Sequence, residues 1–495
     1  MELTTTLLGA VLLFLLYGML TIYRRGGTTN LPPSPGTLSF LLKFYIIQPI
    51  FFKVPPHKIF YSFAQKYGPV YIVDLFLMNL VVIHGADTIQ EAFHNRHICD
   101  RPPVKILKHV LDGSGIAFSS GEVWKIQRRI AMTFMKTFGL NKTEFEDRVS
   151  VEADHLVAEV AKHEGQPFSP YVLMANAVSN VICQAVFGQR YDYADPQFKR
   201  LLGAIYRNIQ LIGGVTGALQ VMPGSQWYGR FLPPVRETGE NFKLIYDFTR
   251  SVAEEHRKSF DPEHPRDFID VYLRETESSA EKKSKVNLND LCATVGDLFM
   301  AGTEATSTTV RWGMLYMMAY PEIQQRIQDE IDRVVGRDRF PNMSDRSQLP
   351  YTEATMLEIL RLGNVVPLGA PHQASADTTI GGYRIPKGSI VFANIGMLGF
   401  DDKTFPEPEK FKPERFLDEA GQLTQQKNDM IPFSTGPRMC IAETMSRTEL
   451  FVFFTRLIHR FTFRKPAQAP PISFQGVPGI TLSPLPFEIC AVPRK

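Results

Sequence analysis

Cys440 stands near the end of the stretch Phe433-Ser434-Thr435-Gly436-Pro437-Arg438-Met439-Cys440-Ile441-Ala442, and an apolar helical run from Met445 to Ile458 comes directly after it. A thiolate placed just before a helix meets the positive end of the helix dipole, which favours its ionised, ligating form. Gly436 allows the chain a tight turn ahead of it. The other cysteines, Cys99, Cys183, Cys292 and Cys490, are scattered, with no C-x-x-C pair and no histidine at zinc-finger spacing. An odd, dispersed set of this kind argues against a disulfide framework and for a reducing compartment. An isolated cysteine in a loop is ordinarily a buried structural residue, so a functional reading of Cys440 rests on its company.

That company includes two pairs at helical spacing. Trp124 and Arg128 lie four apart and Glu358 and Arg361 three apart, so each pair shares one helix face. Alone, either pattern is common on solvated helices. Lys125 and Arg129 occupy a neighbouring stripe beside Trp124, a cationic patch that suits an acidic partner and equally suits a plain solvated face. The segment Ala301-Gly302-Thr303-Glu304-Ala305-Thr306-Ser307 sets an acid and several hydroxyls inside a long helical pattern.

Together these stretches resemble the cytochrome P-450 superfamily. Phe433, Gly436, Arg438 and Cys440 match its haem-binding signature F-x-x-G-x-R-x-C-x-G. Ala442 replaces the final glycine, a change of one methyl group that suits a helix start. The resemblance implies haem b (iron protoporphyrin IX) with Cys440 as the metal ligand, because a thiolate pushes electron density to iron and favours O–O cleavage. It implies that Arg438 neutralises a haem propionate, and that Trp124, Arg128 and His372 meet the propionates too, with Phe433 and Gly436 completing the cofactor-binding set. Glu358 and Arg361 resemble the family's E-x-x-R pair and Phe411 to Phe416 its P-x-R-F element, so that Arg415 would complete a buried structural network.

Ala301 to Ser307 is close to the family's oxygen-activation motif A-G-x-[D/E]-T-T. By that likeness Ala301, Gly302, Glu304 and Thr306 are the catalytic candidates, Gly302 opening a groove in the helix for dioxygen and Glu304 feeding protons to the reaction. Ala305 departs from the usual threonine. Thr306 comes one residue later, rotated by roughly 100° about the helix axis, so it cannot simply replace that hydroxyl. Reliance on ordered water or a substrate hydroxyl, poorer coupling of electrons to product, and loss of ordinary oxygen activation are the three consequences left open.

The elements that must position these residues are legible in the same pass. Strand-like alternation marks Val70 to Val73 and Leu80 to Ile83, with Asn79 expected in the turn between them. Most of the remainder reads as helix. The longest pattern starts at Asn287, an N-cap with Asp290 three residues on, and runs to Pro321, about 50 Å in length. A helix from Pro321 is stopped by Gly336, and another holds Tyr351 to Leu362. No repeat and no low-complexity linker divides the body. The predicted fold class is mainly α with small β-sheets, and the resemblance implies the cytochrome P-450 fold, with haem between the long central helix and the cysteine loop. It also places pocket-lining segments at 102–118, 201–222, 299–304, 365–370 and 477–480. The last two carry no charge, which favours a lipophilic substrate.

The chain has 495 residues, 44% of them hydrophobic, and a formal net charge of +3, ample for a core and too weakly charged to suggest a nucleic-acid partner. From Leu3 to Tyr23 there is no charged residue, and Arg24-Arg25 come immediately after. A run of that length can span a bilayer, and the trailing arginines put the rest of the chain in the cytosol. Residues 1–25 are therefore expected to form a signal-anchor transmembrane helix, 26–37 a Pro/Gly-rich hinge, and 38–495 the haem-thiolate catalytic domain. The order of elements looks like the animal microsomal family-2 type. It implies electrons from NADPH–cytochrome P-450 reductase, with cytochrome b5 as a further donor, contact with membrane lipid, and a single-pass endoplasmic reticulum location with a cytosolic catalytic domain. The chain has no G-x-G-x-x-G after a strand with which to bind flavin or nicotinamide itself. The expected activity is hydroxylation or epoxidation of a lipophilic small molecule such as a fatty acid, steroid, terpenoid or xenobiotic. A haem-thiolate isomerase or dehydratase of lipid peroxides, needing no reductase, is the rival enzyme, and a haem sensor or electron carrier the non-enzymatic alternative.

Overall fold

The computed structural model describes residues 30–44, 54–75, 78–107, 114–139, 143–220, 225–277 and 287–494. The expected anchor, residues 1–25, lies outside them. The described residues are mainly helical with small sheets, and they fall into two compact units.

Among the described residues, the smaller unit comprises those of 30–102, Leu368–Met397 and Thr435–Pro437. Its centre is a four-stranded sheet: Val70–Leu75 pairs antiparallel with Met78–Ile83, which runs parallel to Ile390–Ala393, and His372–Gln373 pairs antiparallel with that last strand. Asn79 is not in a turn. It sits in the second strand opposite Asp74, because strand ends are set by cross-strand hydrogen bonds, which alternation of residue type does not register. The Pro-rich stretch takes the extended path its prolines dictate and is tied down along it: Ile72 N–H donates to Pro33 O at 2.9 Å and Arg384 N–H to Asn30 O at 2.8 Å.

The larger unit comprises Pro103–Pro367, Leu398–Ser434 and Arg438–Lys495. Its organising element is the central helix, Leu288–Ala319. The expected cap is present in full: Asn287 accepts from the N–H groups of Asn289 and Asp290, and the Asp290 carboxylate accepts from Asn287 N–H at 2.9 Å. Pro321 begins the next helix, Pro321–Val334, and Tyr351 to Leu362 falls within Pro350–Gly363. The central helix is buried along most of its length and packs against Pro170–Phe187, Pro233–Lys258, Pro350–Gly363 and the cysteine helix, Glu443–Arg460. Phe299, Trp312, Phe451 and Phe453 anchor the resulting core, each essentially without exposure. Pro170–Phe187 is the one helix among the described residues long and apolar enough to cross a membrane, and its 72% burial makes it a core helix instead.

Candidate active site

The cysteine loop turns where its residues predict. Gly436 has φ 76° and Ser434 φ 66°, and a side chain at Gly436 would collide with the Phe93 carbonyl within the smaller unit. Cys440 N–H donates to Phe433 O at 2.9 Å, closing the loop at the entrance to the cysteine helix. Burial pushes the Cys440 thiol above its ordinary value, while the Ala442 N–H and the Arg128 guanidinium pull the other way. The helix N-terminus therefore assists ionisation but does not by itself outweigh desolvation, and a coordinated cation would deprotonate the thiol outright.

Around Cys440 the larger unit gathers three of the expected partners. Arg128 Nη2 donates to Met439 O at 3.0 Å. Arg438 donates to Ser119 O at 2.7 Å and Ile116 O at 3.3 Å, and its guanidinium lies over the Trp124 ring, 3.9 Å from the centroid. Trp124 Nε1 is buried and has no hydrogen-bond partner among the described residues. Such an orphaned donor costs free energy unless something accepts from it. Phe433 is covered by Arg447, whose guanidinium lies 4.8 Å from its ring centre. A single thiol, two guanidinium groups and an unpaired indole N–H form a donor set that fits a haem and its propionates.

His372 belongs to the smaller unit. Its ring stacks on Phe93 with centroids 4.0 Å apart, and Nδ1 lies 2.6 Å from Ile98 O, so Nδ1 is the protonated, donating nitrogen. Lys125 and Arg129 are exposed, and Lys125 pairs with Glu122 at 2.6 Å. The Glu358 network forms as a buried trio: Arg361 meets Glu358 through two bonds of 2.7 and 2.8 Å, and Arg415 Nε donates to the same carboxylate at 3.1 Å. Arg361 also donates to the Pro408 carbonyl at 2.7 Å, so the trio ties a loop in place.

The central helix continues without a break through Ala301–Ser307. Ala301 is exposed and Leu298, Gly302 and Ala305 are half-buried, a stripe at three- and four-residue spacing that protein atoms leave uncovered. Gly302 serves close packing, since a Cβ there would stand 2.8 Å from Ile182 Cδ1. Glu304 is buried, and its Oε1 accepts from Thr308 at 2.9 Å, from Thr481 and Ser483 at 3.2 Å each, and from Arg311 at 3.4 Å. Thr306 is buried too.

Sequence reasoning missed Arg311, Asp297 and Glu449. Asp297 is a lone charge in an apolar helical run, a signal that could have found it, whereas Arg311 follows Thr308-Thr309 and Glu449 follows Arg447-Thr448, so nothing local sets them apart. Asp297 Oδ2 accepts from the N–H groups of Ile116 and Ala117 at 2.9 and 2.8 Å, and burial pushes its carboxyl up to about 7 against the pull of those bonds.

Comparison with known proteins places this site in context. The family model described as Cytochrome P-450 matches residues 32–491. Cytochrome P-450 2J2 of Homo sapiens is 38% identical over 495 residues, covering 99% of this chain and 96% of that protein. Cytochrome P-450 2J5 of Mus musculus is 37% identical over 492 residues, covering the same shares. Cytochrome P-450 2E1 of Oryctolagus cuniculus is 36% identical over 477 residues, covering 94% of each chain.

Proposed function

The chain belongs to the cytochrome P-450 family, whose members are monooxygenase oxidoreductases that bind haem b through a cysteine thiolate, and we propose that Cys440 is that cysteine. The observation that carries the assignment is the setting of Cys440, with Arg128 and Arg438 anchored around its loop and the Trp124 N–H left unpaired. Haem, when bound, supplies the redox chemistry that activates dioxygen. Arg128, Arg438 and the indole N–H of Trp124 would hold its propionates. Phe433 and Gly436 shape the loop.

On the central helix, Ala301 and Ala305 present little bulk, leaving room for substrate along the uncovered stripe, while Gly302 lets Ile182 pack close against the helix. Ala305 offers no hydroxyl for proton transfer, and Thr306 is buried away from the uncovered stripe. Proton delivery then falls to water or to a substrate hydroxyl. Glu304 acts from its buried network, fixing Thr481 and Ser483 against the helix.

The substrate is a lipophilic small molecule, hydroxylated or epoxidised with electrons from NADPH–cytochrome P-450 reductase, with cytochrome b5 as a further donor. The uncharged segments 365–370 and 477–480 support that choice. Residues 38–495 form the catalytic domain on the cytosolic face of the endoplasmic reticulum membrane, anchored by residues 1–25 and joined through 26–37. The apolar run from Leu7 to Ile22 with Arg24-Arg25 behind it supports this topology.

The test is the carbon monoxide difference spectrum of the reduced protein beside a Cys440→Ser variant. A thiolate-type Soret band, abolished in the variant, is expected. Haem bound without that band would remove Cys440 from the role of ligand.

A further inference from the structure

Residues 476–484 form a hairpin in which Gly476–Val477 pairs antiparallel with Ser483–Pro484. Its returning arm is fastened from three directions. The Thr481 and Ser483 hydroxyls each donate to Glu304 Oε1 at 3.2 Å. Trp312 Nε1 donates to Leu482 O at 2.9 Å, and Leu482 N–H donates to the carbonyl of Val365, the first residue of the other uncharged segment, at 2.8 Å. Thr481 and Leu482 are accordingly buried, whereas Val477 and Ile480 on the tip are 41% and 38% exposed. Two large apolar side chains are thus carried out of the core on a short turn whose backbone is held fast. The tip also meets a second element. Gly213 ends the helix Pro196–Gly213, and a side chain there would collide with the backbone of Gly479 and Ile480. Because Gly213 has none, the helix end reaches the tip directly, and the positions of the two are set together.

We propose that Glu304 is a positioning residue for substrate selectivity: its carboxylate holds the 476–484 hairpin at a fixed distance from the central helix, with the end of Pro196–Gly213 seated against the tip, and that spacing sets how large a lipophilic molecule the site admits. Four donors converge on one oxygen of this carboxylate, and they divide into two pairs. Thr308 and Arg311 lie on the helix of Glu304 and fix the direction of the group, while Thr481 and Ser483 lie on the hairpin and are fixed by it. Hydrogen bonds to a charged acceptor are roughly twice as strong as those between neutral groups, so two hydroxyls suffice to hold so short a segment. Trp312, two turns further along the same helix, fastens the intervening Leu482 carbonyl and keeps the arm from rotating about the Glu304 contact. The central helix therefore determines where Val477 and Ile480 stand without touching either.

The inference rests on the reading of 477–480 as part of the substrate site, and the test separates the two. Full-length haem-loaded wild type, the double variant Thr481→Val/Ser483→Ala and Gly213→Ala are compared by hydrogen exchange and by the Soret shifts that phenylimidazole and the longer biphenylimidazole produce on binding, imidazole nitrogen being a ligand for iron. The double variant removes the hairpin's hydroxyls and leaves Thr308 and Arg311 on Glu304, so the buried ion pair is kept. Exchange at the Leu482 N–H should quicken by about tenfold in it. The ratio of its affinities for the two azoles should change by about tenfold as well, the scale on which an apolar pocket discriminates size. Gly213→Ala displaces the tip from the other side and should change the same ratio. Wild-type exchange at Leu482 in the double variant would overturn the clamp. Faster exchange with an unaltered azole ratio, beside an altered ratio in Gly213→Ala, would keep 477–480 in the substrate site and overturn the role of Glu304 in selectivity. An unaltered ratio in both variants would overturn the reading of 477–480 itself.

Discussion

Arg311 and Glu304 form an ion pair inside the larger unit, 3.4 Å apart, with only 4% and 7% of their side chains exposed. Burial pulls the Arg311 guanidinium below its ordinary value, and the Tyr171 ring lies 4.3 Å from it. Two charges this deep are held by mutual pairing and by the hydroxyls of Thr308, Thr481 and Ser483 on the Glu304 oxygen. Arg311→Met and Glu304→Gln should each destabilise the protein by about 3–5 kcal/mol, because each strands a buried charge, and the double variant should recover much of the loss. Denaturant unfolding of the four proteins measures this directly, and additive losses would exclude the coupling.

Ala305 lies half-buried on the uncovered stripe of the central helix. Ala305→Thr is expected to raise the product formed per NADPH consumed by several-fold, below the roughly 100-fold that a positioned proton donor can contribute. Parallel measurement of NADPH oxidation and product, in the presence of the reductase, decides it. An unchanged ratio would mean that water or substrate already meets the need.

Asp297 reaches from the central helix to the backbone of Ile116 and Ala117, and Gly115 makes room for it, since a Cβ there would stand 2.5 Å from its carboxylate. Asp297→Leu removes the side-chain acceptor of both N–H groups and should cost about 1–3 kcal/mol for each, with faster hydrogen exchange at Ile116 and Ala117. Asp297→Asn keeps an acceptor and should preserve their protection. Because burial raises this carboxyl, its favourable contribution is complete below the ordinary value of 3.8 and lost as pH rises through about 7. The asparagine variant should lack that component of the pH profile.

His256 Nε2 lies 2.6 Å from the buried carboxylate of Asp267, and this hydrogen bond holds the imidazole above its ordinary value. Asp270 stands close enough to complete a metal-binding trio, yet Arg266 already occupies it at 2.6 Å. A raised histidine stabilises the fold fully below its ordinary value of 6.5, and the contribution disappears as pH rises through the raised one. Thermal midpoints should therefore fall from mildly acidic to alkaline pH in wild type more steeply than in His256→Gln. Equal slopes would assign the pH response to other groups.

What the sequence by itself determined were the features written in local spacing. The cap of the central helix depends on Asn287 and Asp290 three residues apart, and the Glu358–Arg361 pair on one turn of helix, so both could be read before any fold was known. The cysteine loop belongs to the same class, since Phe433, Gly436, Arg438 and Cys440 lie within one short turn-forming stretch. Asn79 shows the limit even at short range, where pairing with Asp74 rather than residue type decided where the strand ended.

Only the tertiary structure decided how the buried polar residues of the helices are used. Thr481 and Ser483 arrive at Glu304 from 177 and 179 residues away, and Ile116 arrives at Asp297 from 181. Burial raises both Asp297 and Glu449, and burial is a property of everything packed around a group, not of its neighbours in the chain. The residue types named the chemistry. Distance and desolvation, which exist only once the chain has folded, determined which of those groups pair with one another and which are held out of water without a counter-charge.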